Sequence, residues 1–335
     1  MRLSTVVVAA LLAVPSTALA EDFSDAHRRT LRGHTFMMPA SFESAFIQTT
    51  FVNRTSARRA STSNVPVGAA LRDVETLGVR EAAGFALAVG EHVEVGIDSF
   101  AQFLVGTTGR SLATQGALYA YGVAATAGFR ILRIEESGTQ LTARVEMFGV
   151  QGGGQLAIGP FIQAVRTNGV RSVPELIGNF GNLLTVPVSW WGFAGSINLA
   201  QAFGDTFSLQ ASFRLDVKRF SQSPFVPGQG RIDISSTGVL PQVGVAFGVN
   251  PPAFPVSFLA EYRAAAQDDD DPTSLPHHLI ALGIYYSARK DLQLGPVLAG
   301  EFGLPPVQGI DANGARVGSE TGTAWSGQGM MQYFW

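Results

Sequence analysis

Apolar and polar side chains alternate along residues 206–219. The apolar positions are Phe207, Leu209, Ala211, Phe213, Leu215 and Val217. The intervening positions are Ser208, Gln210, Ser212, Arg214, Asp216 and Lys218. Because successive side chains of a β-strand point to opposite faces, this pattern predicts one strand with an apolar face and a charged face. Soluble strands average about five or six residues, whereas a tilted strand needs roughly ten to cross a bilayer. The length of the pattern favours a membrane-spanning strand.

Similar alternation recurs along most of the chain. The predicted strands are 41–52, 79–89, 92–105, 115–135, 139–150, 186–202, 206–219, 232–249, 256–265, 277–288, 292–304 and 324–335. Long connections are expected at 53–78, 106–114, 151–185, 222–231, 267–276 and 305–323. Tight connections are expected at 90–91, 136–138, 203–205, 250–254 and 289–291. Alternating short and long connections, with apolar-out and polar-in strands, are typical of a membrane-spanning, antiparallel, up-and-down β-barrel. The prediction is all-β, with about 12 strands in a range of 10–14.

The N-terminus has the features of an export signal. Arg2 precedes the apolar run 6–14, and Ala18 and Ala20 fit a small-residue cleavage site, so 1–20 is interpreted as a cleavable signal peptide. Residues 21–40 are polar and basic, with little periodicity. They are interpreted as a periplasmic leader, with entry into the barrel as the alternative. Residues 41–335 then form one barrel domain.

The amino-acid composition excludes some classes of protein and argues against others. The chain has no cysteine, so a disulfide scaffold and a cysteine-ligated metal site are excluded. Charged residues are 15%, low for a soluble protein, and a lipid-facing band would account for this. The net charge of −3 gives no indication of nucleic-acid binding.

The stretch 151–185 interrupts the strand pattern. Apolar residues there recur at intervals of three and four, which predicts two short helices inserted in a loop. Such a loop could fold inward and narrow a pore, lie over the mouth as a lid, or pack on neighbouring loops. The residues proposed to form a constriction are Phe161, Arg166, Glu175 and Phe180.

Charged side chains fall repeatedly on the inward face of the predicted strands. They are Glu94, Asp98, Arg144, Glu146, Arg214, Asp216, Lys218, Glu261, Arg263 and Glu301. These residues are predicted to line an aqueous pore and set its electrostatics. Acids and bases that pair across a narrow lumen would instead fill it, and the mixed signs fit both arrangements.

The last ten residues, SGQGMMQYFW, resemble the C-terminal signal of Gram-negative outer-membrane barrel proteins. Those proteins end on an aromatic residue with a second aromatic two positions earlier. Here these are Trp335 and Tyr333, and Met331 continues the same face. The resemblance is to the porin and transporter class at large, without a specific family. It implies recognition by the barrel-insertion machinery and contact with outer-membrane lipid and lipopolysaccharide.

These observations predict an outer-membrane channel for passive passage of small solutes, including hydrophobic or amphipathic ones. The alternatives are a closed structural or surface-binding barrel and, less favoured, an outer-membrane lipid hydrolase using His277 or His278 with Ser274. No catalytic residue, metal or cofactor is expected. The sequence leaves homo-oligomerisation open, because no interface can be identified from a single chain.

Overall fold

The computed structural model describes most of the chain beyond its first residues. The described residues are 29–67, 70–109, 111–112, 116–156, 185–223, 225–226, 230–266, 277–304, 308–310, 316–318 and 322–335. The predicted signal peptide 1–20, the constriction residues Phe161, Arg166, Glu175 and Phe180, and Ser274 lie outside them.

The described residues form a closed antiparallel barrel of twelve strands, as the alternation predicts. The strands are β1 (Thr50–Val67), β2 (Ala70–Val89), β3 (Val93–Gly106), β4 (Ala117–Ile134), β5 (Thr139–Leu156), β6 (Thr185–Phe203), β7 (Phe207–Gln222), β8 (Ile234–Val249), β9 (Val256–Ala265), β10 (His277–Tyr286), β11 (Leu292–Leu304) and β12 (Gly322–Phe334). Each strand pairs with its neighbours in sequence, and β12 pairs with β1 to close the ring. Within the described residues, no helix is long and apolar enough to cross a membrane.

The two faces of the wall differ as the periodicity requires. Outward Phe213 and Leu298 are 51% and 58% exposed, whereas inward Gln210 and Gln293 are 2% and 0% exposed. A large apolar side chain is stable at an exposed position when the surrounding medium is lipid. The outer face is therefore the lipid-facing surface.

Tight turns lie at one end of the barrel. Gly90 and Gly204 have φ angles of +62° and +71°, a backbone region that costs glycine little, and they close the β2–β3 and β6–β7 turns. The start of β1 and the end of β12 lie at the same end, since Thr50 pairs with Phe334. We call this the tight-turn end, and the opposite end the long-connection end.

Several predicted boundaries are wrong. The first strand starts at Thr50 instead of residue 41, and 53–66, predicted as a loop, is strand paired with β2. Its Ser, Thr and Arg content suggested a loop, but ladder pairing overrides local composition. Residues 151–156, predicted to leave the strand pattern, continue β5 as far as Leu156. The helical insertion is not confirmed, because 157–184 lie outside the described residues.

Residues 29–49 lie inside the barrel, and we call this segment the N-terminal plug. It begins with a two-residue ladder between Thr30–Leu31 and His34–Thr35 and then continues without regular structure. Its most deeply buried side chains are Arg29, Leu31, His34, Phe36, Met37, Met38, Ala45, Phe46 and Ile47, all 0–2% exposed. Of the two placements considered for 21–40, periplasm or barrel interior, residues 29–40 adopt the interior one.

Candidate functional site

From Met37 onward, side chains of the wall form most of the hydrogen bonds to the plug backbone. Gln293 of β11 bonds Met38 twice: its Oε1 accepts from the Met38 N–H at 2.8 Å and its Nε2 donates to the Met38 carbonyl at 3.0 Å. Gln210 of β7 donates to the Met37 carbonyl at 2.7 Å. Buried backbone groups need such partners, because an unmet donor or acceptor costs about 1–3 kcal/mol.

Glu261 of β9 binds the middle of the plug. Its carboxylate accepts the backbone N–H groups of Ala40 and Ser41, each at 2.9 Å, and the Ser41 hydroxyl at 2.5 Å. The next inward residue of the strand, Arg263, donates to the Ser41 carbonyl at 3.0 Å. A carboxylate and a guanidinium two residues apart therefore clamp one short piece of the plug.

Arg144 of β5 binds the far part of the plug. It donates to the carbonyls of Ser44 (3.1 Å) and Phe46 and forms an ion pair with Glu94 of β3. Glu94 in turn accepts the Gln48 N–H at 2.9 Å. Two residues predicted to line a pore thus hold the plug, and Glu94 is only 3% exposed.

Arg214 of β7 joins the plug to two wall carboxylates. It pairs with Glu43 of the plug, with Glu146 at 3.1 Å and with Asp216 at 2.6 Å. One guanidinium therefore serves three acids, an arrangement that offsets the cost of removing charges from water.

The first residues of the plug anchor it at the tight-turn end. The Arg29 guanidinium donates to the Lys290 carbonyl at 2.9 Å and to the Phe36 carbonyl at 3.0 Å, and lies 4.1 Å from the centre of the Phe334 ring. Burial lowers the pKa of Arg29 to about 9, while Asp291 acts to raise it. Burial also lowers the pKa of His34, whose Nδ1 lies 3.0 Å from the Asp205 carbonyl oxygen.

Beyond the plug, the lumen contains a cavity of about 870 Å³. Plug residues from Met38 to Phe46 form its floor, and inward side chains of the wall surround it. The wall is both charged and apolar, since Phe100, Phe148 and Trp190 line the same space as the ionised groups. Such a lining suits solutes that carry both an apolar body and a charged group.

The cavity contains cations that the sequence analysis missed. Arg54 and Arg58 were assigned to a loop, and Arg80 was not singled out. Arg58 pairs with Glu301 at 2.9 Å, and the Arg80 guanidinium lies 4.6 Å from the centre of the Phe100 ring. Within the described residues, the Nε atoms of Arg54 and Arg263 are buried without a hydrogen-bond partner. The spacing of Arg54 and Arg58, four residues apart and therefore on one face of a strand, was the signal that could have identified them.

The ten predicted inward charges lie on the barrel interior, but their surroundings differ. Nine border the cavity: Glu94, Asp98, Arg144, Glu146, Arg214, Asp216, Lys218, Arg263 and Glu301. The tenth, Glu261, is 2% exposed and bound to the plug. Among the described residues, no group of three or more His, Asp or Glu side chains is placed to hold a metal ion.

The C-terminal residues face outward on the closing strand. Met331 and Tyr333 are 39% and 38% exposed, and Tyr333 lies 5.0 Å from Trp335 between ring centres. The two histidines considered for hydrolysis are separated by the wall. His277 approaches Glu301 in the lumen at 3.2 Å, whereas His278 lies 2.8 Å from the Tyr262 hydroxyl on the outer side.

A closed twelve-stranded wall, an apolar outer band and an aromatic C-terminal strand define an outer-membrane β-barrel. No family model matches the sequence, and no curated protein matches it. The COG4313 outer membrane channel from Pseudomonas putida F1 is similar in structure, with a TM-score of 0.53 at 10% identity over 90% of this chain and 100% of that chain. This likeness concerns the fold.

Two further solved barrels align with lower scores. The translocator domain of the autotransporter NalP from Neisseria meningitidis has a TM-score of 0.49 at 9% identity, over 98% of this chain and 96% of that chain. A Pseudomonas aeruginosa FadL homologue has a TM-score of 0.47 at 10% identity, over 93% and 97%.

Proposed function

We propose that the protein is an outer-membrane channel that passes small solutes, amphipathic ones among them, down their gradient when the N-terminal plug moves. The observation that carries the proposal is the solute-sized cavity of about 870 Å³ above the plug. From Met37 to Gln48, the plug is bound to the wall through side chains rather than through a β-ladder. Such a segment can detach from the interior wall, which we call leaving its seat, while the strands of the barrel stay paired.

The lining supplies a means of selection. Arg54 and Arg80 offer positive charge, and Phe100 and Phe148 offer apolar surface beside it. A solute with an anionic group and an apolar body would be favoured over a neutral sugar of the same size. The 151–185 insertion, proposed as a constriction, stays a prediction.

The proposal places the protein in the outer membrane of a Gram-negative bacterium, after export by a cleavable signal peptide. The tight-turn end would face the periplasm, because barrels of this class have short periplasmic turns. Its partners would be the insertion machinery, outer-membrane lipid, lipopolysaccharide and the solute. One structural neighbour is described as an outer membrane channel, which supports the proposal at the level of the fold.

A liposome-swelling assay tests the proposal. The refolded chain is compared with a variant lacking residues 29–48, using small aromatic carboxylates and sugars as solutes. We expect faster swelling with the variant, and faster entry of carboxylates than of sugars of similar size. A variant that keeps the heat-dependent gel mobility of a folded barrel but admits no solute would exclude the channel function.

A closed barrel with a structural or surface-binding role is the second candidate. The dense contact of Phe36, Met37 and Phe46 with the interior favours it, since these side chains are at most 2% exposed. If the plug never leaves its seat, the intact chain admits no solute and only the deletion variant does. The same swelling assay therefore separates the two functions.

A further inference from the structure

Of the residues that the structure describes, six arginines border the cavity above the plug, and they fall into two sets of three. Those that form ion pairs with carboxylates are Arg58, Arg144 and Arg214. No described carboxylate forms an ion pair with the other three. They are Arg54, Arg80 and Arg263, which we call the lumen arginine cluster. The cluster is therefore a group of cations that the wall does not neutralise by direct contact.

The Arg80 guanidinium lies close enough to the other two members of the cluster to be repelled by both. It belongs to β2 and interacts electrostatically with Arg54 of β1 and Arg263 of β9. Strand β9 lies five strands from β2 around the ring, so Arg263 approaches Arg80 across the lumen. The Ser41 carbonyl of the plug accepts a hydrogen bond from Arg263 at 3.0 Å and fixes its position. Because like charges held together repel, the cluster is a preformed site for negative charge.

The carboxylates near the cluster are bound to other partners, with one exception. Glu261 accepts three hydrogen bonds from the plug, and Glu301 pairs with Arg58 at 2.9 Å. The other acids of the described lining that pair with an arginine outside the cluster are Glu43, Glu94, Glu146 and Asp216. Asp98 interacts with Arg54, but no described cation forms an ion pair with it. Three cations minus this one carboxylate leave two positive charges uncompensated.

An apolar surface adjoins the cluster. The Phe100 ring centre lies 4.6 Å from the Arg80 guanidinium, so the ring supports the cation and leaves its N–H groups for a ligand. Phe100 pairs in register with Gly122 of β4. Phe148 of β5 pairs with Ala124, two residues further along β4, so small side chains separate the two rings. A ligand whose anionic group is bound by the cluster can therefore place an apolar body against both rings.

We propose that the lumen arginine cluster binds the phosphate group of an organic phosphate monoester. Such a group carries a charge of about −1.5 to −2 at pH 7, which matches the surplus positive charge of the cluster. Its terminal oxygens accept hydrogen bonds, and guanidinium groups bind such oxygens in two-point contacts. A carboxylate carries a single charge and would leave part of the cluster unmatched. The inference rests on the proposed function, because it names the class of solute that the lumen would recognise.

Equilibrium dialysis of the refolded chain in detergent micelles tests the site. The probes are phenyl phosphate, benzoate and benzyl alcohol, which share a benzene ring and differ in charge from dianion to monoanion to neutral at about pH 8. We expect phenyl phosphate to bind about tenfold more tightly than benzoate, and benzyl alcohol to bind more weakly than either. Benzoate that binds as tightly as phenyl phosphate would overturn the proposal.

A pair of variants separates the site from the general charge of the lumen. Arg80→Gln removes a cation of the cluster, and Lys218→Gln is the matched control. Lys218 borders the same cavity and no described acid forms an ion pair with it, so each variant removes one positive charge without breaking an ion pair. We expect R80Q to weaken phenyl phosphate binding about tenfold and K218Q less than about twofold. Equal losses in two variants that keep the heat-dependent gel mobility of a folded barrel would overturn the proposal.

The dialysis and liposome-swelling results distinguish failure of this site from failure of the channel function. Binding at equilibrium needs no movement of the plug. Tight binding that depends on Arg80, in a chain that never swells liposomes, would therefore support the anion site and overturn the channel function. Swelling in a chain that binds phenyl phosphate no better than benzyl alcohol would overturn the anion site and support the channel function.

Discussion

The substitution Gln293→Leu removes a two-point link between the wall and the early part of the plug. Gln293 is fully buried, and both ends of its amide bond the Met38 backbone, at 2.8 and 3.0 Å. Leucine keeps a similar volume but can neither donate nor accept. The Arg29 guanidinium loses a weaker contact to the Gln293 oxygen at 3.3 Å. The barrel strands keep all their ladder bonds, so the effect falls on the plug.

The expected size follows from these bonds. Each net hydrogen bond contributes about 1 kcal/mol, and a backbone group left buried without a partner costs about 1–3 kcal/mol. Loss of both Met38 bonds should lower the free energy of releasing the plug from the barrel interior by roughly 3 kcal/mol. Since 1.36 kcal/mol corresponds to a factor of ten, the unseated population should rise about 100-fold.

A thiol placed in the plug measures that population. Ala45→Cys puts the thiol at a position that is 1% exposed, so a maleimide can react only when the plug leaves its seat. Gln332→Leu is the matched control, because Gln332 faces Gln293 across the β11–β12 ladder. Within the described residues, no hydrogen bond joins Gln332 to the plug, and its Oε1 is unpaired. Labelling of Q293L no faster than that of Q332L would refute the reasoning.

Three further predictions concern separate parts of the molecule. Replacing Arg214 with Met leaves Glu43, Glu146 and Asp216 without their shared cation and should cost roughly 3 kcal/mol, seen as a lower unfolding temperature than for the control Lys218→Met. Burial lowers the pKa of His34, so plug seating should be complete above pH 6.5 and weaken as the pH falls below it. Labelling at position 45 should therefore accelerate in acid, less so in a His34→Gln background. A Cβ at Gly295 would lie 1.9 Å from the Ile284 carbonyl oxygen, whereas one at Gly327 meets open space. Refolding yield should therefore fall for Gly295→Ala and stay unchanged for Gly327→Ala.

The barrel was predictable because lipid outside and polar lumen inside impose a period of two on every spanning strand. Val239, Val243 and Phe247 on β8 follow this rule, and all three are exposed to the outside. The rule fails on β1, where the polar residues Asn53 and Thr55 occupy lipid-facing positions. The sequence of this strand therefore resembles that of a loop.

The plug could not be derived from periodicity. Its residues follow neither a helical nor a strand repeat, because the shape of the barrel interior and not a local ladder determines their conformation. The apolar run Phe36–Met38 was the available signal. Three large apolar side chains in succession are usually buried, which does not fit a leader exposed to solvent. Pairing between wall and plug, such as Glu261 with Ser41, depends on contacts more than 200 residues apart and is not visible in the sequence.

Single-channel recording in a planar bilayer tests the central claim, that the N-terminal plug gates a solute pathway. The native chain and the Q293L and Q332L variants are recorded under identical conditions. The account predicts rare openings for the native chain and Q332L, and an open probability about 100-fold higher for Q293L. A steady conductance that is equal in all three would show that the plug does not gate the lumen. Absence of conductance in Q293L, despite rapid thiol labelling of its plug, would contradict the channel function.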